Sequence, residues 1–385
     1  MLFCRKAGVK SKRGTLSHRL WPTVALAVLA FAVLAALPGI EPGGARRLAP
    51  VPARKPFLRA AFEVAGVCEP VPPGTGDPVE SASFSDLADR TEVVNAIVGE
   101  WYAIDSSGRV IESGPDGATV GFARSSGDAV WAMVTLPPPA PPTIAFLTSA
   151  SARQALARSL VATAVAEKYD GLVVNLAPLL EGGTVTVGQA ASAFLTEVRR
   201  ASDRLGLSLG VVIPALTAPR EQAYPIDPGK LAATADWLIL QGWGEHWPEG
   251  IAGPISGRDW LNANLSALVA RVFPGWVSLA IPAFAYDWPT GGTGAVRRAG
   301  RDAAAIRAAR GSNSADDPVS GEAKVTYATA TGESRTIWYL DAPALAERSR
   351  LARFYGLRGI VVWRLGEEDQ AWWPALGEEV EARPR

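Results

Sequence analysis

Aromatic side chains with carboxylates or amides close by recur along this sequence. The chain has 385 residues, and 13 of them are tryptophan. An aromatic ring packs against the flat CH face of a sugar, and acids and amides nearby bind its hydroxyl groups. The clusters therefore predict that the protein binds a polyhydroxylated ligand. The residues that we predict to contact it are Trp101, Tyr102, Asp170, Asn175, Trp243, Glu245, Tyr286, Asp287, Trp338 and Trp363.

Other aromatic and histidine residues have a structural interpretation. Trp131, Trp237 and Trp276 lie within apolar runs, which predicts that they belong to the core. Trp363 ends such a run, so its spacing fits a core residue and a ligand floor equally well. We expect His246, which lies between an acid and a tryptophan, to serve the structure rather than the chemistry.

The composition excludes several other classes of site. The 38 basic and 38 acidic residues cancel, which argues against a dedicated nucleic-acid-binding protein. Only two cysteines and two histidines occur, so a disulfide scaffold and a Cys-rich zinc site are excluded. A His-based metal centre and a Ser-His-Asp triad are nearly excluded for the same reason. We therefore predict no metal and no cofactor.

Short apolar runs alternate with helical segments from residue 80 onward. This order predicts an α/β fold in which crossover helices join parallel strands. Runs such as 170–176, 237–241 and 359–363 are apolar almost throughout, so both faces of the sheet are covered. The number of runs fits a (β/α)8 TIM barrel, whose active face lies at the carboxyl ends of the strands. A doubly wound sheet is the alternative, weakened because no G-x-G-x-x-G follows the first strand.

One segment breaks this order near the end of the chain. Residues 324–340 alternate polar and apolar side chains around a turn at residues 331–333. This pattern predicts a small β-hairpin, at 324–341, inserted before the last strand of the barrel. We place the whole barrel at residues 81–376 and a tail at 377–385.

The N-terminal part predicts export and a membrane anchor. Residues 1–19 form a basic tail, and the 21 residues 20–40 carry no charge. As a helix they reach ~31 Å, about one hydrocarbon thickness, and the basic tail keeps the N-terminus cytoplasmic. The proline-rich residues 41–80 are predicted to be a linker. We thus expect a single-pass protein of the inner (cytoplasmic) membrane, with the barrel in the periplasm or outside the cell; a cleaved signal peptide is the alternative.

Five segments together resemble the barrels of glycoside hydrolase family 18. The resemblance is strongest to its spore-cortex and cell-envelope branch and to the bacterial hydrolase–deacetylase fusions. The segments follow the order and spacing of the family motifs across roughly residues 80–376. They are YDGLVVNLA at 169–177, LILQGWGEHW at 238–247, IPAFAYDW at 281–288, WYLDA at 338–342 and LRGIVVWRLG at 357–366.

The resemblance implies substrate-assisted hydrolysis, from which this sequence departs at the decisive positions. In the family, a glutamate at the end of the fourth strand protonates the glycosidic oxygen, and an aspartate two residues earlier orients the substrate's N-acetyl group. Counting from Asp170, these positions hold Ala177 and Asn175. Since strand residues two apart share a face, that face carries no acid. Loss of a general acid typically lowers the reaction rate by ~10²–10⁴-fold.

Three functions remain open on the sequence. The first, which we favour, is a membrane-anchored, catalytically impaired domain that binds an N-acetylglucosamine-containing glycan, such as peptidoglycan, a chitin-like oligomer or poly-N-acetylglucosamine. The second is an active glycosidase with a displaced acid, for which Glu181, Glu245 and Asp287 are the candidates. The third is a non-catalytic scaffold for envelope polysaccharide-processing enzymes, with the arginine-rich segment 297–310 as its contact surface.

Overall fold

The computed structural model describes residues 58–63, 93–112, 117–216, 225–310 and 314–381. The predicted basic tail and membrane anchor, residues 1–40, lie outside these ranges. Within the described ranges, no helix combines the length and the apolar character needed to cross a bilayer. The anchor at residues 20–40 therefore stays a prediction.

Fourteen strands occur in the described residues, and eight of them form the centre of the molecule. In chain order the strands are β1 (Leu58–Glu63), β2 (Ala96–Ile104), β3 (Val110–Glu112), β4 (Ala129–Thr135), β5 (Gly171–Asn175), β6 (Ser208–Ile213), β7 (Trp237–Gln241), β8 (Val277–Pro282), β9 (Phe284–Pro289), β10 (Val296–Ala299), β11 (Ser314–Asp316), β12 (Ala323–Ala328), β13 (Ser334–Tyr339) and β14 (Gly359–Trp363).

The eight central strands pair in parallel and form a barrel. From β2 the sheet runs through β4, β5, β6, β7 and β8 to β14, while β3 pairs antiparallel with β2. Strand β1 pairs with β14 on one side and with β2 on the other, so the sheet closes on itself. This arrangement confirms the predicted α/β class with a barrel of parallel strands, and it excludes the open doubly wound sheet.

Helices follow most of the central strands and cover the outside of the barrel. In chain order they are α1 (Gly117–Ser126), α2 (Pro141–Thr148), α3 (Ala150–Ala166), α4 (Ala177–Leu180), α5 (Val185–Ser202), α6 (Pro228–Thr234), α7 (Arg258–Val269), α8 (Gly300–Arg310), α9 (Ala342–Phe354) and α10 (Trp372–Glu381). Polar side chains start several of them: Ser149, Thr184 and Asp341 accept hydrogen bonds from the first turns of α3, α5 and α9.

The period of two along each strand separates two apolar cores. In β5, Leu172 and Val174 face the core between barrel and helices, while Val173 faces the core inside the barrel. The inner core also holds Trp131 and Trp237, whose ring centroids lie 5.1 Å apart. Their predicted core positions are thus confirmed.

Two predicted boundaries, the extent of the inserted hairpin and one predicted core residue need correction. Strand β1 lies inside the segment 41–80 that was predicted as a linker, because its partners β14 and β2 are far away in sequence. Helix α10 extends to residue 381, into the predicted tail. The predicted hairpin exists as β12–β13, but it is part of a five-stranded antiparallel sheet in the order β10-β9-β13-β12-β11. Trp276 is 48% exposed, since it lies in a connection before β8 rather than within the strand.

Candidate functional site

Neutral polar side chains end three of the barrel strands. Thr135, Asn175 and Gln241 are the last residues of β4, β5 and β7. Each lies two residues after a side chain of the inner core, so each shares the face that points into the barrel. Because carboxyl ends of parallel strands meet at one end, these residues form part of the floor of the barrel mouth.

The orientation of Asn175 is set by its neighbours. Its side chain is 3% exposed, and Oδ1 accepts a hydrogen bond from the backbone N–H of Ala177 at 3.1 Å. Its Nδ2 lies 3.4 Å from Thr135 Oγ1, to which it donates. Ala177 begins α4 and is 2% exposed, so a buried methyl group occupies the position where the family resemblance expects an acid.

Aromatic side chains stand beside this floor. The rings of Trp243 and Trp363 have centroids 5.6 Å apart, and Trp243 meets Phe284 edge-on at 5.9 Å. Phe284 in turn contacts Tyr286 at 5.1 Å. We call these four residues the aromatic wall. Trp243, Tyr286 and Trp363 are each half-buried, so the wall keeps ring surface open to a ligand. The predicted contact Trp338 is only 7% exposed and packs behind the wall.

The loop after β7 holds Trp243 and is closed by its own side chains. His246 Nδ1 lies 2.9 Å from the carbonyl oxygen of Pro254. A Cβ on Gly253 would lie 2.4 Å from the imidazole, so this close approach requires glycine. These contacts support the structural role expected for His246. Glu245 Oε2 accepts a hydrogen bond from the N–H of Gly257 at 2.6 Å, and its half-burial raises the pKa of its carboxyl group.

A buried carboxylate and arginine connect this loop to the inserted sheet. Glu322 accepts hydrogen bonds from the N–H groups of Ile255 and Ser256, at 2.9 and 2.5 Å. Arg348 donates to the carbonyl oxygens of Ser256 and Ser320, at 2.7 and 2.8 Å. Both side chains are fully buried, and burial raises the pKa of Glu322 to about 7 despite these favourable contacts. The insertion therefore positions the loop that carries Trp243.

Asp287 is not at the mouth, which corrects its prediction as a sugar contact and as a displaced acid. Its side chain has no exposed surface. Arg298 Nε and Arg335 Nε donate to it at 2.6 and 2.9 Å, and Tyr327 Oη donates at 2.8 Å. A fully buried carboxylate that accepts from three other strands of the inserted sheet is not accessible to a substrate.

Trp101 and Tyr102 also lie away from the mouth. They are 0% and 4% exposed and belong to the core outside the barrel. The Trp101 ring lies over Gly99, and its centroid is 5.3 Å from that of Tyr169. Because the pairing of β2 with β4 shifts register between Gly99 and Tyr102, simple strand alternation does not predict these directions. Their assignment as ligand contacts is thereby corrected.

Two predicted acids lie at other places on the barrel. Asp170 is exposed and precedes β5, and its Oδ2 accepts a hydrogen bond from the N–H of Val130 at 2.8 Å. A five-residue strand of ~16 Å separates it from the mouth, so its assignment as a ligand contact is corrected. Glu181 is exposed and follows α4, which separates it from the strand end.

Sequence reasoning missed Thr135 and Gln241. The signal was present, because each is the first polar residue at the end of an apolar run and shares the face of an inner-core residue. Neither residue is ionisable, so a search for acids passes over both. Within the part of the chain that the structure describes, no group of three or more His, Cys, Asp or Glu residues is arranged to hold a metal ion.

Comparison with known proteins finds similar chains among glycosylases and chitinases. No family model matches the sequence. A glycosylase of Bacillus subtilis (strain 168), the uncharacterized YvbX, is 23% identical over 313 residues, which cover 78% of this chain and 88% of YvbX. A chitinase from Chromobacterium violaceum ATCC 12472 is 25% identical with a TM-score of 0.72, covering 85% of this chain and all of the chitinase.

A second solved structure shares the fold at lower sequence identity. The spore cortex-lytic enzyme SleL of Bacillus megaterium QM B1551 has a TM-score of 0.71 at 14% identity, and the match covers 86% of this chain and 75% of SleL. The chain has, in sum, the chitinase-like barrel fold that the resemblance to glycoside hydrolase family 18 implied.

Proposed function

We propose that this chitinase-like barrel binds a glycan containing N-acetylglucosamine at its mouth and does not hydrolyse it. The observation that carries the proposal is the pairing of a half-open aromatic wall with a floor in which Asn175 and Ala177 stand at the two acid positions of the family. The wall retains the means of binding a sugar ring, while an alanine cannot donate a proton to a leaving group.

The contacts at the mouth support binding of an amide-bearing sugar. Trp243 and Trp363 offer ring faces, and the floor offers the amide groups of Asn175 and Gln241. Because Oδ1 of Asn175 accepts from Ala177 N and its Nδ2 donates one hydrogen to Thr135 Oγ1, the second N–H of Nδ2 is what the amide can offer to a ligand acceptor. Hydrogen bonds of this kind select the ligand, and ring stacking provides most of the affinity.

We propose peptidoglycan as the ligand, and chitin-like oligomers and poly-N-acetylglucosamine as the alternatives. The likeness to a chitinase and to a cortex-lytic enzyme supports this class of polymer. We further propose that residues 20–40 anchor the chain in the cytoplasmic membrane, with the barrel on its outer side. An envelope glycan would then be within reach of the mouth.

Co-sedimentation tests the glycan proposal. The full-length protein, in mild detergent, is mixed with insoluble peptidoglycan or chitin, and the fraction that pellets is measured. The Trp243→Ala/Trp363→Ala double variant is expected to lose pelleting, because each ring removed costs roughly tenfold in affinity, or ~1.4 kcal/mol. Trp276→Ala is the matched control, since this tryptophan is exposed outside the mouth. The proposal would be contradicted if the double variant still pelleted with peptidoglycan or chitin.

A working glycosidase is the second candidate, and one observation favours it. Half-burial raises the pKa of Glu245, as a general acid requires. Its Oε2 is occupied by the N–H of Gly257, however, which gives it a structural task as well. Reducing-end release from N-acetylated glycans that disappears in Glu245→Gln would establish this function in place of the first; no release from the wild type would remove it.

The scaffold hypothesis receives less support from the geometry. The arginine-rich segment 297–310 was its contact surface, but three of its arginines bind acids of the same chain. Arg297 contacts Glu367 at 2.7 Å, Arg298 contacts Asp287 at 2.6 Å, and Arg307 contacts Asp341 at 2.8 Å. These side chains hold the insertion against the barrel, so they are not free to bind a partner enzyme.

A further inference from the structure

Exposed aromatic rings occur at the end of the barrel opposite the mouth. Phe273 and Trp276 lie in the connection before β8, with exposures of 62% and 48% and ring centroids 5.7 Å apart. Phe354 ends α9 and Tyr355 follows it, before β14; their ring centroids lie 5.4 Å apart, Phe354 is 81% exposed and Tyr355 is half-buried. Single exposed apolar residues are ordinary, but three exposed aromatic rings at one end of a barrel indicate a contact surface.

The two connections adjoin each other and the start of β1. The N–H of Arg358 donates to the carbonyl oxygen of Val277 at 2.7 Å, where β14 and β8 begin. Strand β1 pairs in parallel with β14, and Leu58 is opposite Gly359. The chain therefore enters the barrel beside the strands whose connections carry the rings. We call residues 270–276 and 350–358 together the entry surface.

Basic residues predominate in the two segments of the entry surface. They include four arginines and no acid: Arg271 and Arg350 are exposed, Arg353 and Arg358 are half-buried, and Asp236, directly before β7, interacts with Arg358. Arg358 lies over the Trp237 ring at 4.6 Å and closes the bottom of the barrel. Aromatic rings together with basic side chains are typical of surfaces that lie at the headgroup level of an anionic bilayer.

The length of chain before β1 limits how far the barrel can lie from the segment 20–40. Only 17 residues, 41–57, separate the uncharged segment 20–40 from β1, and they reach at most ~60 Å when fully extended. Four of these residues are basic and one is acidic. We infer that the entry surface rests on the lipid bilayer, with its rings at the headgroup level, so that the glycan-binding mouth points away from the membrane. The inference rests on the proposed anchor and is independent of glycan binding.

A fluorescent probe on the full-length protein tests this orientation. Cys4 and Cys68 are replaced by serine, and a single cysteine is introduced by Phe273→Cys and labelled with an environment-sensitive nitrobenzoxadiazole dye. Ile251→Cys is the matched control, because Ile251 is 69% exposed in the loop after β7, at the mouth end. Both proteins are reconstituted in phosphatidylcholine–phosphatidylglycerol vesicles, with or without lipid that carries a spin label near the headgroup.

The proposal predicts a blue shift of the dye at position 273 and several-fold stronger quenching there by the spin-labelled lipid than at position 251. Equal quenching at the two positions, whether weak or strong, would overturn it. A blue shift at 273 without lipid quenching would also overturn it, since protein then covers the surface. Flotation of the vesicles separates these results from loss of the anchor: a chain that does not float with the vesicles removes the anchor and the proposal together, and leaves glycan binding untouched.

Discussion

At the scale of single residues, the chemistry of the mouth depends on two side chains that differ from those the family resemblance implies. Asn175 keeps the position and the local hydrogen bond that an aspartate would make, because either side chain offers an oxygen to the N–H of Ala177. Ala177 supplies its backbone N–H to this hydrogen bond, but its side chain has no proton to donate. The change therefore removes charge and proton donation while it leaves the strand end in place.

Restoring the two acids is expected to create measurable hydrolysis. In the Asn175→Asp/Ala177→Glu variant, release of reducing ends from N-acetylated glycans should exceed that of the parent by ~10²–10⁴-fold, the usual contribution of a general acid. Asn175→Asp/Ala177→Gln has the same side-chain size without the acid and serves as the control. If both variants stay inactive while still pelleting with glycan, other parts of the mouth have also diverged from catalysis.

At the scale of elements, the inserted sheet holds the loop after β7 through the buried Glu322. Its pKa is raised from 4.5 to about 7, so the folded protein favours the protonated form. This contribution to stability is fully present below pH 4.5, and it is lost as the pH rises through about 7. The carboxylate that then forms is buried beside Arg348 and two backbone N–H groups, which compensate only part of its lost hydration.

Glu322→Gln should accordingly flatten the pH dependence of the melting temperature. The wild type is expected to lose stability between pH 5 and pH 8, and each unit of pKa shift accounts for ~1.4 kcal/mol of that loss. The glutamine variant melts lower throughout, because one of the two N–H donors loses its acceptor. Glu249→Gln, at an exposed position in the same loop, is the control. Parallel curves for wild type and Glu322→Gln would contradict the assignment.

At the scale of the whole molecule, closure of the barrel depends on a strand far from its partners in sequence. Strand β1 lies between β14 and β2, and Ala60 contributes to the inner core. Removal of this strand would leave two unpaired edges and open the inner core to water. The proline-rich region before residue 80 thus contains a structural part of the barrel.

Two truncated chains test this closure. A chain of residues 55–385 retains β1, whereas a chain of residues 81–385 lacks it. We expect the longer chain to be monomeric with a cooperative thermal transition, and the shorter one to aggregate or melt without cooperativity. Size-exclusion chromatography and circular dichroism measure both properties. A shorter chain that melted as cooperatively as the longer one would show that β1 is dispensable.

The sequence by itself determined the elements whose signal is local. Continuous apolar runs predicted β7 and β14 at the bounds that the structure has, and alternation predicted the β12–β13 hairpin. The replacement of both acids could be read from residues 175 and 177 by counting along the family motif from Asp170, although β5 ends at Asn175 and Ala177 already begins α4. The family resemblance, carried by five separated segments, led to the correct chitinase-like fold.

Only the tertiary structure decided which side chains meet at the mouth. Trp101 lies within β2 and Trp243 lies just after β7. The register of β2 shifts next to Trp101, whose side chain packs in the outer core, while the loop after β7 places Trp243 against Trp363. The sequence offers Asp287 as a ligand contact, but in the structure Arg335, 48 residues later, donates a hydrogen bond to its carboxylate. Strand β1 was not predicted from the sequence, because it forms by parallel pairing with β14, about 300 residues away. Such contacts depend on long-range packing, which no local pattern of residues encodes.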